Sequence, residues 1–369
     1  MKLKKRINYA GGELTKADAF FVKESVLNGF YENYKKYTQE LEDKLAKILN
    51  VKYVLAVNSA TSALHLALMG LGIQNGDEVI TSDSSCVATA MPILYTGAVP
   101  KFVDISKKDW NIDPSKIQYY ISKKTKAILP VHWNGHPADI EKICMIAKDH
   151  GLFVIEDAAA ALGSKVKNRY VGTFGDIGCF SFQGAKVAIG GQGGAVVTNN
   201  FKLYERMKVL SSYGRTDSKK TYWSDSIGWN YGMPSLVAAL VISQIDRLDH
   251  LINLKRRIFE RYFIGLKSNN RVRLIQPISN NFFSNCCYPP LEILSNSKTN
   301  KIDILKNLNS SNIDARTIQP QISAMPMFKK NKKNLNSAHI ENSGIILPSA
   351  LNLSDTDIDF VCNMINDIT

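Results

Sequence analysis

Three short segments carry residue types that do little separately and much together. The first, Ser181-Phe182-Gln183-Gly184-Ala185-Lys186, runs into Gly190-Gly191-Gln192-Gly193-Gly194. A lysine between an apolar run and a glycine-rich turn becomes an amine nucleophile if desolvation lowers its pKa, although an exposed loop lysine has the same local sequence. The second is Asp157, which ends the apolar run 152–157 and precedes four alanines, Ala158 to Ala161. A carboxylate there is costly to bury unless a cation or donor meets it; a cationic ligand atom does so, and so does capping the next helix. The third is Asn58-Ser59-Ala60-Thr61-Ser62, between a β-rich run (53–57) and the apolar stretch 63–70. Unpaired N–H groups and the positive end of a helix dipole suit a phosphate at such a place, and an ordinary N-cap suits the same residues. Together a phosphate cradle, a carboxylate for a ring nitrogen and an amine for an aldehyde are the needs of pyridoxal 5'-phosphate, in which a lysine forms the Schiff base and an aspartate keeps the pyridinium protonated.

The elements that must hold these residues alternate regularly. A helix is predicted over 38–49 with Thr38 as its N-cap, then a strand at 53–57, then a helix from Ser59 to about Met69 closed by Gly70 and Gly72. Further strands are predicted at 78–82, 100–105, 126–131, 152–157, 178–182 and 194–199, with amphipathic helices between them such as 139–151. Strands that are apolar throughout and alternate with helices predict a mainly parallel sheet covered on both faces, a three-layer α/β domain over residues 1–240. Ligands bind beyond the carboxyl ends of strands in such sheets, which is where all three segments fall. Apolar residues at helical spacing then continue for about 27 positions up to Leu266, which reads as one long helix leading to a smaller C-terminal α+β domain (241–369). The Asn- and Lys-rich stretches of that domain read as surface loops, and no internal repeat is present.

The chain has 46 Lys+Arg against 33 Asp+Glu, a net charge of +13 that suits nucleic acid, an acidic surface or a phosphorylated small molecule. Lys2, Lys4, Lys5 and Arg6 form one basic cluster, and Lys329, Lys330, Lys332 and Lys333 another; neither has interleaved aromatics, so both read as solvated faces and not as a nucleic-acid site. No apolar run approaches the 18 or so residues of a membrane helix, and the first residues lack an apolar signal core. Six cysteines without a CxxC pair predict reduced thiols, no metal site and a cytoplasmic location.

With these residues in view, the chain resembles the DegT/StrS nucleotide-sugar aminotransferases of fold-type I, above all their perosamine synthase branch. The segments that carry the resemblance are VNSATSALHLALMGLGIQNGDEVIT (57–81), ATAMPILYTGAVPKFVDI (88–105), PVHWNGHPADIEKI (130–143), LFVIEDAAAALGS (152–164), YVGTFGDIGCFSFQGAKVAIGGQGGAVVTNN (170–200) and IGWNYGMPSLVAAL (227–240), with a weaker match over 313–328 and 346–355. They span most of the chain in the family's order, and the DAA…SFxxxKxxxxGxGG combination is highly specific. The resemblance implies that Lys186 is the Schiff-base lysine and proton shuttle and that Asp157 partners the pyridine nitrogen. It implies that Ala60, Thr61 and Ser181 hold the phosphate, that Cys86 and Ala160 lie against the cofactor, and that Asn230 reaches the cofactor phosphate of a neighbouring subunit, hence a homodimer with shared active sites. The implied activity transfers an amino group from glutamate to the keto group of a nucleotide-linked deoxysugar, such as GDP-linked 4-keto-6-deoxymannose, for surface polysaccharide such as lipopolysaccharide O-antigen.

Five positions depart from the family pattern. Cys86 stands where an aromatic usually stacks on the cofactor, Ala160 replaces Gln, His or Glu, Gly232 stands where Arg is common, and Gln192 replaces the Glu of a GEGG turn. Pro320-Gln321-Ile322-Ser323 stands where the family has YPxH. These departures predict intact cofactor chemistry and an altered sugar pocket. Two other functions share the resemblance: the family's sugar dehydratases, which have His in place of the Schiff-base lysine, so that Lys186 counts against them, and a PLP-binding regulatory protein without turnover.

Overall fold

The computed structural model describes residues 6–216, 220–276, 281–329 and 331–369; Lys2, Lys4, Lys5 and Lys330 of the two basic clusters lie outside them. Seven strands form the main sheet: β1 (Tyr53–Val57), β2 (Glu78–Ser82), β3 (Val99–Val103), β4 (Thr125–Leu129), β5 (Phe153–Asp157), β6 (Ile177–Ser181) and β7 (Gly194–Thr198). Their order is β1-β7-β6-β5-β4-β2-β3, and only β7 runs against its neighbours. The strands follow from their composition: alternate residues feed two separate cores, with Ile128 and Val154 in one and Ala127, Leu129 and Ile155 in the other.

Helices α1 (Lys16–Asn28), α2 (Lys36–Leu49), α3 (Ala60–Gly70), α4 (Ile140–Asp149), α5 (Phe201–Ser211), α6 (Ser235–Ile245), α7 (Leu248–Leu266) and α8 (Asp355–Ile368) complete the scaffold. Apolar residues of α3 and α5 pack on one face of the sheet, and those of α2, α4 and α6 on the other. The three-layer arrangement expected from the alternation is thus present, and it leaves the carboxyl ends of the parallel strands as the uncovered edge.

Two local expectations are corrected. Helix α2 starts at Lys36, and Thr38 sits inside its first turn with its hydroxyl donating to the Lys35 carbonyl (2.9 Å) instead of capping it. The single long helix is two, α6 and α7, broken at Arg247, whose backbone leaves the helical region (φ −122°, ψ 28°). Its guanidinium is held by the carboxylates of Asp18 (2.8 Å) and Glu13. That tether to the N-terminal segment overrides a helical pattern that continues unbroken in the sequence.

A second, antiparallel sheet lies in the C-terminal part, ordered β8-β9-β11-β10 from β8 (Val272–Leu274), β9 (Pro290–Ile293), β10 (Arg316–Thr317) and β11 (Gly344–Ile346). Its core, shared with α7 and α8, also takes in Ile7. The N-terminal segment reaches it as a short parallel bridge: Ile7 N–H donates to the Asn312 carbonyl and Asp314 N–H to the Ile7 carbonyl, each at 2.9 Å. No helix among the described residues is long and apolar enough to cross a membrane, no cluster of His, Cys, Asp and Glu among them could hold a metal ion, and all six cysteines are free thiols.

Candidate active site

A cavity of about 380 Å³ opens where β1, β5 and β6 end. Asp157 is the last residue of β5. Its backbone is fixed from both sides, its N–H donating to the Pro130 carbonyl (2.9 Å) and its carbonyl accepting from His132 N–H (3.0 Å). The preceding Glu156 turns to the opposite face of the sheet and accepts from the N–H groups of Gly172, Phe174 and Gly175 (2.6–2.8 Å) and from His132 Nε2 (3.0 Å). Because Ala138 N–H donates to His132 Nδ1, the His132 hydrogen sits on Nε2 and points at Glu156. This buried lattice aims Asp157 alone into the cavity. The Asp157 side chain is buried, and its oxygens accept one bond each, from the Thr89 hydroxyl (2.7 Å) and Ala159 N–H (3.1 Å). Two neutral donors leave a buried carboxylate with capacity for a cation.

Lys186 follows β6 on a turn closed by its own N–H to the Gln183 carbonyl (2.9 Å), and its Nζ lies 5.4 Å from the centre of the Tyr288 ring. No carboxylate among the described residues pairs with it. The glycine-rich run brings β7 back against the start of α3: a Cβ on Gly194 would stand 2.6 Å from the Ser59 carbonyl carbon and 2.7 Å from Ala60 N, so only glycine permits the approach. Ser59 caps α3 by accepting from Ser62 N–H (3.1 Å), and the Ser62 hydroxyl donates to Asn58 (2.6 Å). The Thr61 hydroxyl and N–H, at the positive end of α3 and on the cavity wall, have no partner among the described residues.

The structure therefore brings Lys186, Asp157, Ala60, Thr61, Cys86, Ala160 and Ser181 to one cavity. Asn230 stands apart from them: it is exposed, pairs with Ser212, and offers its carbonyl to Asn58 Nδ2 (3.2 Å). Of the departures, Gln192 lines the cavity, whereas Gly232 faces open space. The expectation that Pro320–Ser323 reshapes the pocket meets a different arrangement in this chain, because those residues lie off the cavity wall. Gln321 and Ser323 are buried and spend their polar atoms on the Asp83 carboxylate.

Residue types alone do not reveal the rest of the wall. Tyr9 stacks on Tyr288 (centroids 5.5 Å apart, 12° between planes), and Arg316 lies 4.3 Å over Tyr9. Burial pushes both tyrosine hydroxyls up, so both are neutral. Trp133 and Asn134 have one local signal, the Asn134-Gly135 turn after β4, where Asn134 adopts φ +56°. Tyr9 comes from a segment far upstream of Tyr288 and Arg316, and none of the three has one.

An unpaired amine, a buried carboxylate with room for a cation, and free donors at a helix N-terminus fit pyridoxal 5'-phosphate. The comparisons agree. Residues 13–366 match the model of the DegT/DnrJ/EryC1/StrS aminotransferase family. The chain is 38% identical over 355 residues to a GDP-perosamine synthase of Escherichia coli O157:H7, covering 96% of each chain, and 32% identical to one of Vibrio cholerae, covering 94% of each. Among solved structures it superposes on Helicobacter pylori PseC, an aminotransferase involved in pseudoaminic acid biosynthesis, with a TM-score of 0.90, 28% identity and 99% of both chains covered. The chain therefore belongs to the DegT/DnrJ/EryC1/StrS aminotransferase family and is a pyridoxal-phosphate-dependent sugar aminotransferase.

Proposed function

We propose that the protein transfers the amino group of glutamate to the keto group of a nucleotide-linked deoxysugar, with GDP-linked 4-keto-6-deoxymannose the first candidate, in surface polysaccharide synthesis in the cytoplasm. The observation that carries this reading is the single cavity shared by Lys186, Asp157 and the start of α3, in a chain similar end to end to GDP-perosamine synthases. When bound, the cofactor supplies an aldehyde and an electron-withdrawing ring. Thr61, Ser181 and the backbone at Ala60 hold its phosphate on the α3 dipole. Asp157 keeps a proton on the ring nitrogen, since a buried anion favours the charged partner. Lys186 Nζ would hold the group through its aldehyde carbon and, once freed by the incoming amine, would accept and return the proton at the substrate carbon. Cys86 and Ala160 present small side chains beside the cofactor and leave room that bulkier residues would fill. Lys186 stands against the dehydratase reading, and the paired retention of Lys186 and Asp157 against a binding protein without turnover.

The working unit we propose is a homodimer in which Asn230 of one subunit completes the phosphate site of the other, which accounts for its exposed position away from its own cavity. Residues 1–240 and 241–369 form the large and small domains of each subunit, with the segment around Ile7 crossing between them. Glutamate-dependent amination across a panel of GDP-, UDP- and dTDP-linked keto-sugars tests the substrate. Turnover of one member supports the reading, and no amination of any member overturns it. Mixing inactive Lys186→Ala with inactive Asn230→Ala chains tests the sharing: restored activity supports it, and an inert mixture of exchanged subunits rejects it.

A further inference from the structure

Asp157 does not face the cavity unaided. Its Oδ2 accepts from the Thr89 hydroxyl (2.7 Å), and the Thr89 oxygen lies 2.9 Å from the Ser85 hydroxyl. An ionised carboxylate only accepts, so the single Thr89 hydroxyl hydrogen points at Asp157 and that of Ser85 points at Thr89. The two hydroxyls stand four residues apart across a short 3₁₀ turn (Val87–Thr89), closed by Thr89 N–H donating to the Cys86 carbonyl (3.0 Å). Both residues are almost wholly buried, yet both line the cavity with Asp157. The result is a one-way chain of donors, from Ser85 to Thr89 to Asp157, that ends on the carboxylate a ring nitrogen would meet.

Among the described residues Thr89 supplies the one side-chain hydrogen bond to Asp157; the other is the Ala159 N–H. Cys179, the register partner of Asp157 on β6, is a thiol that burial keeps neutral. Glu156 and His132 pair on the opposite face of the sheet, and Lys186, Cys86 and Tyr288 stand elsewhere on the cavity wall. A hydrogen bond to an anion lowers its basicity. With the Thr89 donor in place, Asp157 attracts the ring proton without taking it, and the ring keeps its electron withdrawal. With the donor gone, Asp157 is the stronger base, draws the proton toward itself and weakens that withdrawal. We propose that Thr89, oriented by Ser85, is a positioning residue of the transamination that sets how the ring proton is shared between Asp157 and the cofactor. This rests on the functional reading above, in which Asp157 holds that proton.

The test reads the pH midpoint of the visible absorbance in the cofactor-loaded full chain. A less withdrawing ring leaves the cofactor's other protonable nitrogen more basic, so Thr89→Val should raise the midpoint by about one pH unit, the worth of one hydrogen bond to a charged group. The glutamate half-reaction should slow in step, roughly tenfold. Thr89→Ser should restore the wild-type midpoint, and Ser85→Ala should raise it by less than Thr89→Val does. In an Asp157→Asn background Thr89→Val should move the midpoint no further, because the effect runs through the carboxylate. Only folded, loaded molecules contribute to the midpoint, so a loss of stability alone leaves it in place. Should Thr89→Val fail to fold, Ser85→Ala carries the test, and an unmoved midpoint there overturns the proposal. It is equally overturned by an unmoved midpoint in Thr89→Val, by the same shift in Thr89→Ser, or by the same shift without the Asp157 carboxylate. A wild-type chain that gains no visible band with pyridoxal 5'-phosphate, or whose band survives Lys186→Ala, refutes the functional reading itself.

Discussion

Two aspartates stand at the carboxyl ends of strands that flank β4 in the sheet, Asp157 closing β5 and Asp83 following β2. Both are almost wholly buried. Asp157 accepts two bonds and faces an open cavity. Asp83 accepts four, from Gln321 Nε2 (2.7 Å), Ser323 N–H (2.7 Å), the Ser323 hydroxyl (2.8 Å) and Asn334 Nδ2 (2.7 Å), all from the C-terminal part of the chain. The same position in the same kind of sheet lines an open cavity in one case and is a tether in the other. What separates them is the supply of donors: where another segment saturates the carboxylate it locks the fold, and where it does not the carboxylate is left to a ligand.

The largest way to break this comparison is the same substitution at both places. Asp157→Asn should retain the cofactor and lose on the order of 10²–10³-fold or more in turnover, because an amide cannot hold the ring-nitrogen proton. Steady-state rates with cofactor content measured by absorbance check it, and near-normal activity would reject the role of Asp157. Asp83→Asn should do the reverse. Whichever way its amide turns, an NH₂ group faces donors, so unfolding stability should fall by about 2 kcal/mol while turnover per folded molecule changes little. Denaturant titration beside kinetics decides it, and a loss of turnover without loss of stability would erase the distinction.

A half-buried carboxylate gives an effect that appears only as pH rises. Glu42 on α2 accepts a single bond, from Ala56 N–H on the edge strand β1 (2.7 Å), and burial raises its pKa from 4.5 to about 7. A carboxyl whose folded pKa is raised contributes stability that is fully present below pH 4.5 and is lost as pH rises through about 7. Glu42→Gln should therefore match the wild type near pH 4.5 and exceed it by about 1–3 kcal/mol above pH 8, read from melting curves at the two pH values. Equal stability at both would mean that water reaches Glu42.

The comparison also marks what the sequence could disclose. Strands at the centre of the sheet were legible because both faces are buried: β2 falls at 78–82 as predicted, and the others within a residue or two. Lys186, Asp157 and Thr61 were legible because strand ends and glycine-rich turns leave a local signature. The break at Arg247 was not, since Asp18 and Glu13 make it from more than 200 positions away. Nor was the Asp83 tether, so Pro320–Ser323 reads in sequence as a group of missing sugar contacts and in the structure as partners of a buried anion. Tyr9, Tyr288 and Arg316 form one wall only after the fold has joined them.

The short bridge of Ile7 to residues 312–314 has a consequence for biosynthesis. Tyr9 leaves the ribosome long before Tyr288 and Arg316, and its ring finds both only when more than three hundred further residues have been made. The sheet with Lys186 and Asp157 can form earlier, because domains fold as units from the N-terminus during synthesis. During that interval the cavity lacks one wall, and the segment around Ile7 closes it last. A bulky N-terminal fusion would burden that final step more than any before it.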